Sequence, residues 1–117
     1  MNYQKILLAL REGEELGIFT RFLADQGFDV AAATDGATAL ELAIGTHPAL
    51  VITDPELGVI SGERIFQIIR HNPNTSRIPF LFISDSVSDI KGFHTGVDVF
   101  LLRPLNLDEV RANKRRA

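Results

Sequence analysis

One hundred and seventeen residues, 45% hydrophobic and 23% charged, suffice for one folded domain and exclude a disordered chain or a two-domain enzyme. Without cysteine there is no disulfide framework, thiolate metal site or cysteine nucleophile, and His47, His71 and His94 share no metal-ligand spacing. The net charge of -3 is uneven: residues 1–110 hold 8 Lys/Arg against 15 Asp/Glu, an acidic body that argues against nucleic acid as a partner, while Arg111, Lys114, Arg115 and Arg116 read as a solvated last helical turn.

In chain order, short apolar runs rich in branched residues alternate with amphipathic stretches, the pattern of a parallel α/β sheet with helices on both faces. The first strand is expected over Lys5–Leu10. Its apolar run, Ile6 to Leu10, is far shorter than the roughly 20 residues of a membrane span, so a cytoplasmic chain with no membrane partner is expected. Leu16, Phe19 and Leu23, with Ile18 and Phe22 beside them, predict a first helix ended by Gly27. A second strand over Asp29–Ala33 and a helix from about Ala37 to Ile44 follow. Next come a strand over Ala49–Thr53, a helix from about Glu63 to His71, and a strand over Pro79–Ile83. Asp85 to Thr95 predicts only a brief or irregular fourth helix. The last strand is expected over Val97–Leu102, and Asn106 is a good N-cap for a fifth helix beginning at Leu107.

No Gly-rich phosphate loop and no Ser/His/Asp arrangement is present, so dinucleotide, P-loop and triad chemistries fall away. In open α/β sheets ligand chemistry sits at the carboxyl ends of the strands. Leu10, Arg11 and Glu12 follow the first strand, Asp54 the third, Ser84 the fourth, and Arg103-Pro104 the fifth.

These residues belong to a longer series: Lys5-Ile-Leu-Leu-Ala, Gln26-Gly-Phe-Asp-Val, Asp35-Gly-Ala-Thr-Ala-Leu, Pro48 to Asp54, Ser61-Gly62, Ile78-Pro79, Ser84, Gly96-Val97-Asp98 and Arg103-Pro104. In order and spacing, and over the whole chain, it resembles a receiver domain of two-component response regulators. The resemblance implies a flavodoxin-like, doubly wound five-stranded parallel sheet of strand order 2-1-3-4-5 with helices on both faces. It implies a role in phosphorelay signal transduction and no enzyme activity on a metabolite, since a receiver's phosphotransfer serves its own switch. Asp54 stands at the family's phosphoacceptor position, Ser84 at its switch hydroxyl, Phe100 at its switch aromatic and Arg103 at its lysine, whose peptide to the proline is cis.

The family's Mg²⁺-holding acidic pair is Leu10 and Arg11 here. Glu12 and Glu56 are the weak candidates for a substitute carboxylate. An apolar and a cationic side chain do not ligate Mg²⁺, so a pseudo-receiver without metal or cofactor is expected, with Arg11 entering the metal's volume to pair with Asp54. Gly58 and Ser61-Gly62 depart from the family pattern and predict a more mobile loop after the third strand. The alternatives are an active receiver, phosphorylated on Asp54 by a histidine kinase with Mg²⁺, and a small-molecule-binding flavodoxin-like module. Expected partners are a histidine kinase or an output domain in the same chain, and a second copy bound through helix 4, strand 5 and helix 5. A single receiver-like domain over residues 1–117, the amino-terminal part of a longer protein, is the expected organisation.

Overall fold

The computed structural model describes residues 4–11, 13–84 and 99–102, the last four by their backbone alone. Strands β1 (Lys5–Ala9), β2 (Asp29–Ala33), β3 (Leu50–Thr53), β4 (Phe80–Ser84) and β5 (Val99–Leu102) lie parallel in the order β2-β1-β3-β4-β5. Helices α1 (Glu14–Asp25), α2 (Gly36–Thr46) and α3 (Gly62–His71) connect them. The stretches expected as helices 4 and 5 lie outside the described residues. Among the described residues, no helix is long and apolar enough to cross a membrane.

The central strands are apolar on both faces because both are covered, as a parallel sheet requires. Alternate residues divide into two cores. Leu7, Ala9, Val51, Phe80 and Phe82 pack with Ala39 and Ala43 of α2 and Ile65, Phe66 and Ile69 of α3. Ile6, Leu8, Leu50, Ile52, Leu81 and Ile83 pack with Phe19 and Leu23 of α1 on the other face. Phe66 meets Phe80 and Phe82 edge-on, at 5.2 and 5.8 Å between ring centroids.

Several ends differ from the sequence expectation by one or two residues, each for a local reason. β1 stops at Ala9, and the Leu10 N–H bonds the Ala33 carbonyl just beyond the ladder. β4 gains Ser84, in register with Leu102. α2 starts at Gly36, capped by the Asp35 carboxylate that accepts from the Thr38 N–H at 2.8 Å, and runs on to Thr46, after which His47, at φ 51°, turns the chain. α1 closes as the glycine predicts, with Gly27 at φ 93°.

Candidate functional site

The carboxyl ends of β1 and β3 are neighbours, with Ala9 in register with Thr53, so the residues just beyond them share one rim. The Asp54 N–H bonds the Ala9 carbonyl at 3.0 Å, which carries the strand pairing one step further and fixes Asp54 at that edge. Asp54 is 2% exposed. A carboxylate so placed is costly unless its oxygens are bonded. Arg11 Nε donates to Asp54 Oδ2 at 3.0 Å, and the Glu56 backbone N–H donates to Oδ1, also at 3.0 Å. Each carboxylate oxygen therefore holds a donor, one of them a permanent cation. Arg11 itself is half in water, its side chain 51% exposed against 3% for that of Asp54.

The structure thus brings Arg11 and Asp54 together. Leu10 is 1% exposed and belongs to the apolar cluster of Phe19 and Leu23. It follows the carboxyl end of β1 and keeps the face of Ile6 and Leu8, the face that α1 covers. Ser84 is buried at the end of β4, next to β3 in the sheet. The backbone of Phe100 pairs in register with Phe82. Arg103, its peptide to Pro104, and Glu12 lie outside the described residues. Glu56 is exposed, and its backbone N–H bonds Asp54. Among the described residues, no group of three or more His, Asp or Glu is arranged to hold a metal ion.

Three contacts had only a faint trace in the sequence. A Cβ on Gly62 would lie 2.1 Å from the Asp54 carbonyl oxygen, so only glycine lets α3 begin that close to the site. Ser61 caps that helix, its hydroxyl accepting from the Arg64 N–H at 3.1 Å. At the other end of the loop, the Gly36 N–H bonds the Gly58 carbonyl at 2.7 Å. The loop expected to be mobile is tied at three points, to Asp54, to α2 and into α3.

A family model of the response regulator receiver domain matches residues 14–114. The chain is 30% identical over 112 residues to the sensor histidine kinase TmoS of Ectopseudomonas mendocina, covering 93% of this chain and 12% of that one. It is 30% identical over 109 residues to the transcriptional regulatory protein PrrA of Mycobacterium tuberculosis, covering 92% and 47%. The chain therefore spans less than half the length of these curated relatives. Among solved structures, the chemotaxis response regulator CheY4 of Vibrio cholerae superimposes with a TM-score of 0.88 at 23% identity, covering 98% of each chain. The receiver domain of a sensor histidine kinase from Pseudomonas aeruginosa, with a magnesium ion coordinated in its active-site cleft, gives 0.88 at 23% identity, covering 97% of each.

Proposed function

We propose that this chain, which belongs to the response regulator receiver domain family, is a pseudo-receiver: a regulatory interaction module whose aspartate is held by a built-in cation and which works without Mg²⁺-dependent phosphorylation. The observation that carries this reading is the contact of Arg11 Nε with Asp54 Oδ2 at 3.0 Å. Phosphoryl transfer to a carboxylate needs an oxygen free to attack and a metal to neutralise the charge that spreads over the transferring group. Asp54 Oδ2 faces Arg11, and Oδ1 faces the Glu56 N–H. Mg²⁺ requires several oxygen ligands in near-octahedral geometry. Leu10 within the α1 cluster offers none, and Arg11 brings positive charge to the place where the ion would bind, so these residues do not fit it.

In this reading Asp54 is a structural anion, Arg11 its permanent counterion, and Ser84, Phe100 and Arg103 keep family positions without a phosphoryl group to respond to. The domain is then one unit of a longer signalling chain. The names of its relatives, a sensor histidine kinase and transcriptional regulators, motivate a kinase or an output domain as its partner. The burial of Asp54 and Ser84 at the ends of adjacent strands favours one competing reading, an active receiver phosphorylated on Asp54.

One experiment separates them. The protein is incubated with Mg²⁺ and acetyl phosphate and its intact mass is measured. No phosphoryl adduct is expected, and an adduct that disappears in Asp54→Asn would overturn the pseudo-receiver reading. Because Leu10→Asp would place a charge among Phe19 and Leu23, the informative gain-of-function variant is Arg11→Asp alone, which removes the cation and supplies a carboxylate.

A further inference from the structure

We infer that the face formed by α2 and the loop between β3 and α3 is a docking surface for a cationic amphipathic helix of a protein partner, with Val59 as its apolar anchor. This deepens the reading above by naming a surface and a partner chemistry, and it rests on that reading only in taking protein contact as the output.

The first observation is strain without a packing reason. Val59 has φ 73°, and the Ile60 N–H bonds the Gly58 carbonyl at 2.9 Å across it, a tight γ-turn in the strained hand. A β-branched residue is a costly choice at positive φ, where glycine or asparagine would serve. Its side chain is 85% exposed, so the core gains nothing in return. An outlier of this kind, beside a functional rim, points to a use for the side chain itself.

The second observation is that the loop is fixed to α2. Gly36 donates its N–H to the Gly58 carbonyl, Asp35 bridges Gly58, and a Cβ on Gly36 would fall 1.6 Å from the Ile60 carbonyl oxygen. Val59 is thereby held at the start of a helix that turns Ala37, Glu41 and Ile44 to solvent, Ile44 being 50% exposed. Ile44 lies eight residues beyond Gly36, about 12 Å along the axis.

The third observation selects the partner. From residue 22 to residue 63 the chain has seven Asp/Glu and no Lys or Arg. Asp54 is buried against Arg11 and Asp29 pairs with Lys5, while Asp35, Glu41, Glu56 and Glu63 sit on α2, on the loop and at the start of α3. Apolar side chains beside these four carboxylates, with Arg64 after Glu63 and Arg11 on Asp54 as the bordering cations, complement a basic amphipathic helix, and repel nucleic acid, anionic membranes and acidic peptides. The surface also reaches the rim, since the residue that bonds Asp54 Oδ1 through its N–H, Glu56, is three positions before Val59.

The test titrates the 117-residue chain with a synthetic Lys/Leu amphipathic peptide of about 18 residues, five helical turns, and with its Glu/Leu counterpart. Amide shifts are followed without any phosphodonor. Saturable shifts at residues 36–44 and 56–61, weakened by salt, are expected with the Lys/Leu peptide and none with the Glu/Leu peptide. Val59→Asn tolerates the positive φ and so keeps the fold, and together with Glu41→Lys it should weaken binding by about tenfold or more. Absence of binding, shifts centred on α1, or unchanged binding by Val59→Asn would overturn the proposal. Self-association in sedimentation equilibrium that is lost in Val59→Asn would overturn it too, making a second copy the occupant. Acylphosphate on Asp54 would sink the pseudo-receiver reading and leave the peptide result standing, so the two failures are distinguishable.

Discussion

Two arginines tie chain segments to this sheet, and they do it by different physics. Arg11, at the carboxyl end of β1, faces one buried carboxylate while half its side chain remains in water. Arg70, near the end of α3, lies over the rings of Phe66 and Phe80 at 5.0 and 5.7 Å and donates to the carbonyls of Ser76 and Ile78. Arg70 bonds neutral acceptors and packs on aromatic faces, so its contribution lies in hydrogen bonds, stacking and shape. The contribution of Arg11 lies chiefly in charge. The difference teaches which end of the sheet is structural: the α3–β4 end holds its loop through an arginine that cannot leave without stranding carbonyls, whereas the Asp54 end is held by a cation that solvent or an anion can challenge.

The largest expected effect is therefore at Arg70. Arg70→Ala removes two carbonyl contacts and the cover over two rings, and should lower stability by about 2–4 kcal/mol, read from urea unfolding. Added salt should hardly change that loss. Arg70→Lys should recover less than half of it, because an ammonium lacks the planar fork and stacks poorly. Full rescue by lysine would mean that charge alone is at work and the contrast with Arg11 would collapse.

Arg11→Ala should have the next largest effect, about 1–3 kcal/mol, below the 3–5 kcal/mol of a fully buried broken pair because solvent reaches the guanidinium. The contrast sharpens in a double-mutant cycle. In an Asp54→Asn background, where no buried charge needs a counterion, Arg11→Ala should cost less than about 0.5 kcal/mol. Equal costs in both backgrounds would show that Arg11 acts by packing, and the built-in counterion would have to be abandoned.

The same contrast explains what was legible beforehand. The parallel α/β architecture could be read from the runs at Ile6 to Leu10, Ala49 to Thr53 and Phe80 to Ile83, because strands buried on both faces have little freedom in composition. The positions of Asp54 and Ser84 at strand ends followed from the same runs. Leu10 was legible as well: it continues the alternation of Ile6 and Leu8 one residue past β1 and joins them against Phe19 and Leu23. The bond from the Glu56 N–H to Asp54 had no signal, because the sequence displays the Glu56 carboxylate, while an N–H is something every residue but proline has. The γ-turn at Val59 had no signal at all: local propensity assigns valine to extended backbone, and the ties from Gly36 and Gly58 override it.

Val59 carries a smaller prediction of opposite sign. Val59→Asn should raise stability by about 0.5–1.5 kcal/mol, the order of the penalty a branched residue bears in the left-handed region. Thermal unfolding of this variant, compared with its peptide affinity, separates two roles. A gain in both stability and binding would mean that the valine is a defect, whereas stability gained with binding lost is the signature of strain kept for contact.

The smallest effect concerns pH and returns to the ends of the sheet. Asp35 caps α2 through hydrogen bonds from the Thr38 N–H and hydroxyl, and the backbone bond, followed by the side-chain bond, holds its carboxyl below the ordinary value. A carboxyl whose folded pKa lies below its unfolded one stabilises the fold while ionised in both states. That contribution is complete above the unfolded value near about pH 4, and fades as the pH falls through the lowered folded value. Asp35→Asn keeps an acceptor for the Thr38 N–H but has nothing to titrate. The two proteins should differ by a constant margin near neutral pH, and the wild type should lose its margin only below about pH 4. Chemical unfolding of both from neutral pH downward tests this. Curves that stay parallel through the acid limb would show that the cap is worth the same with and without its charge, and that the α2 end, like Arg70, is held by hydrogen bonds alone.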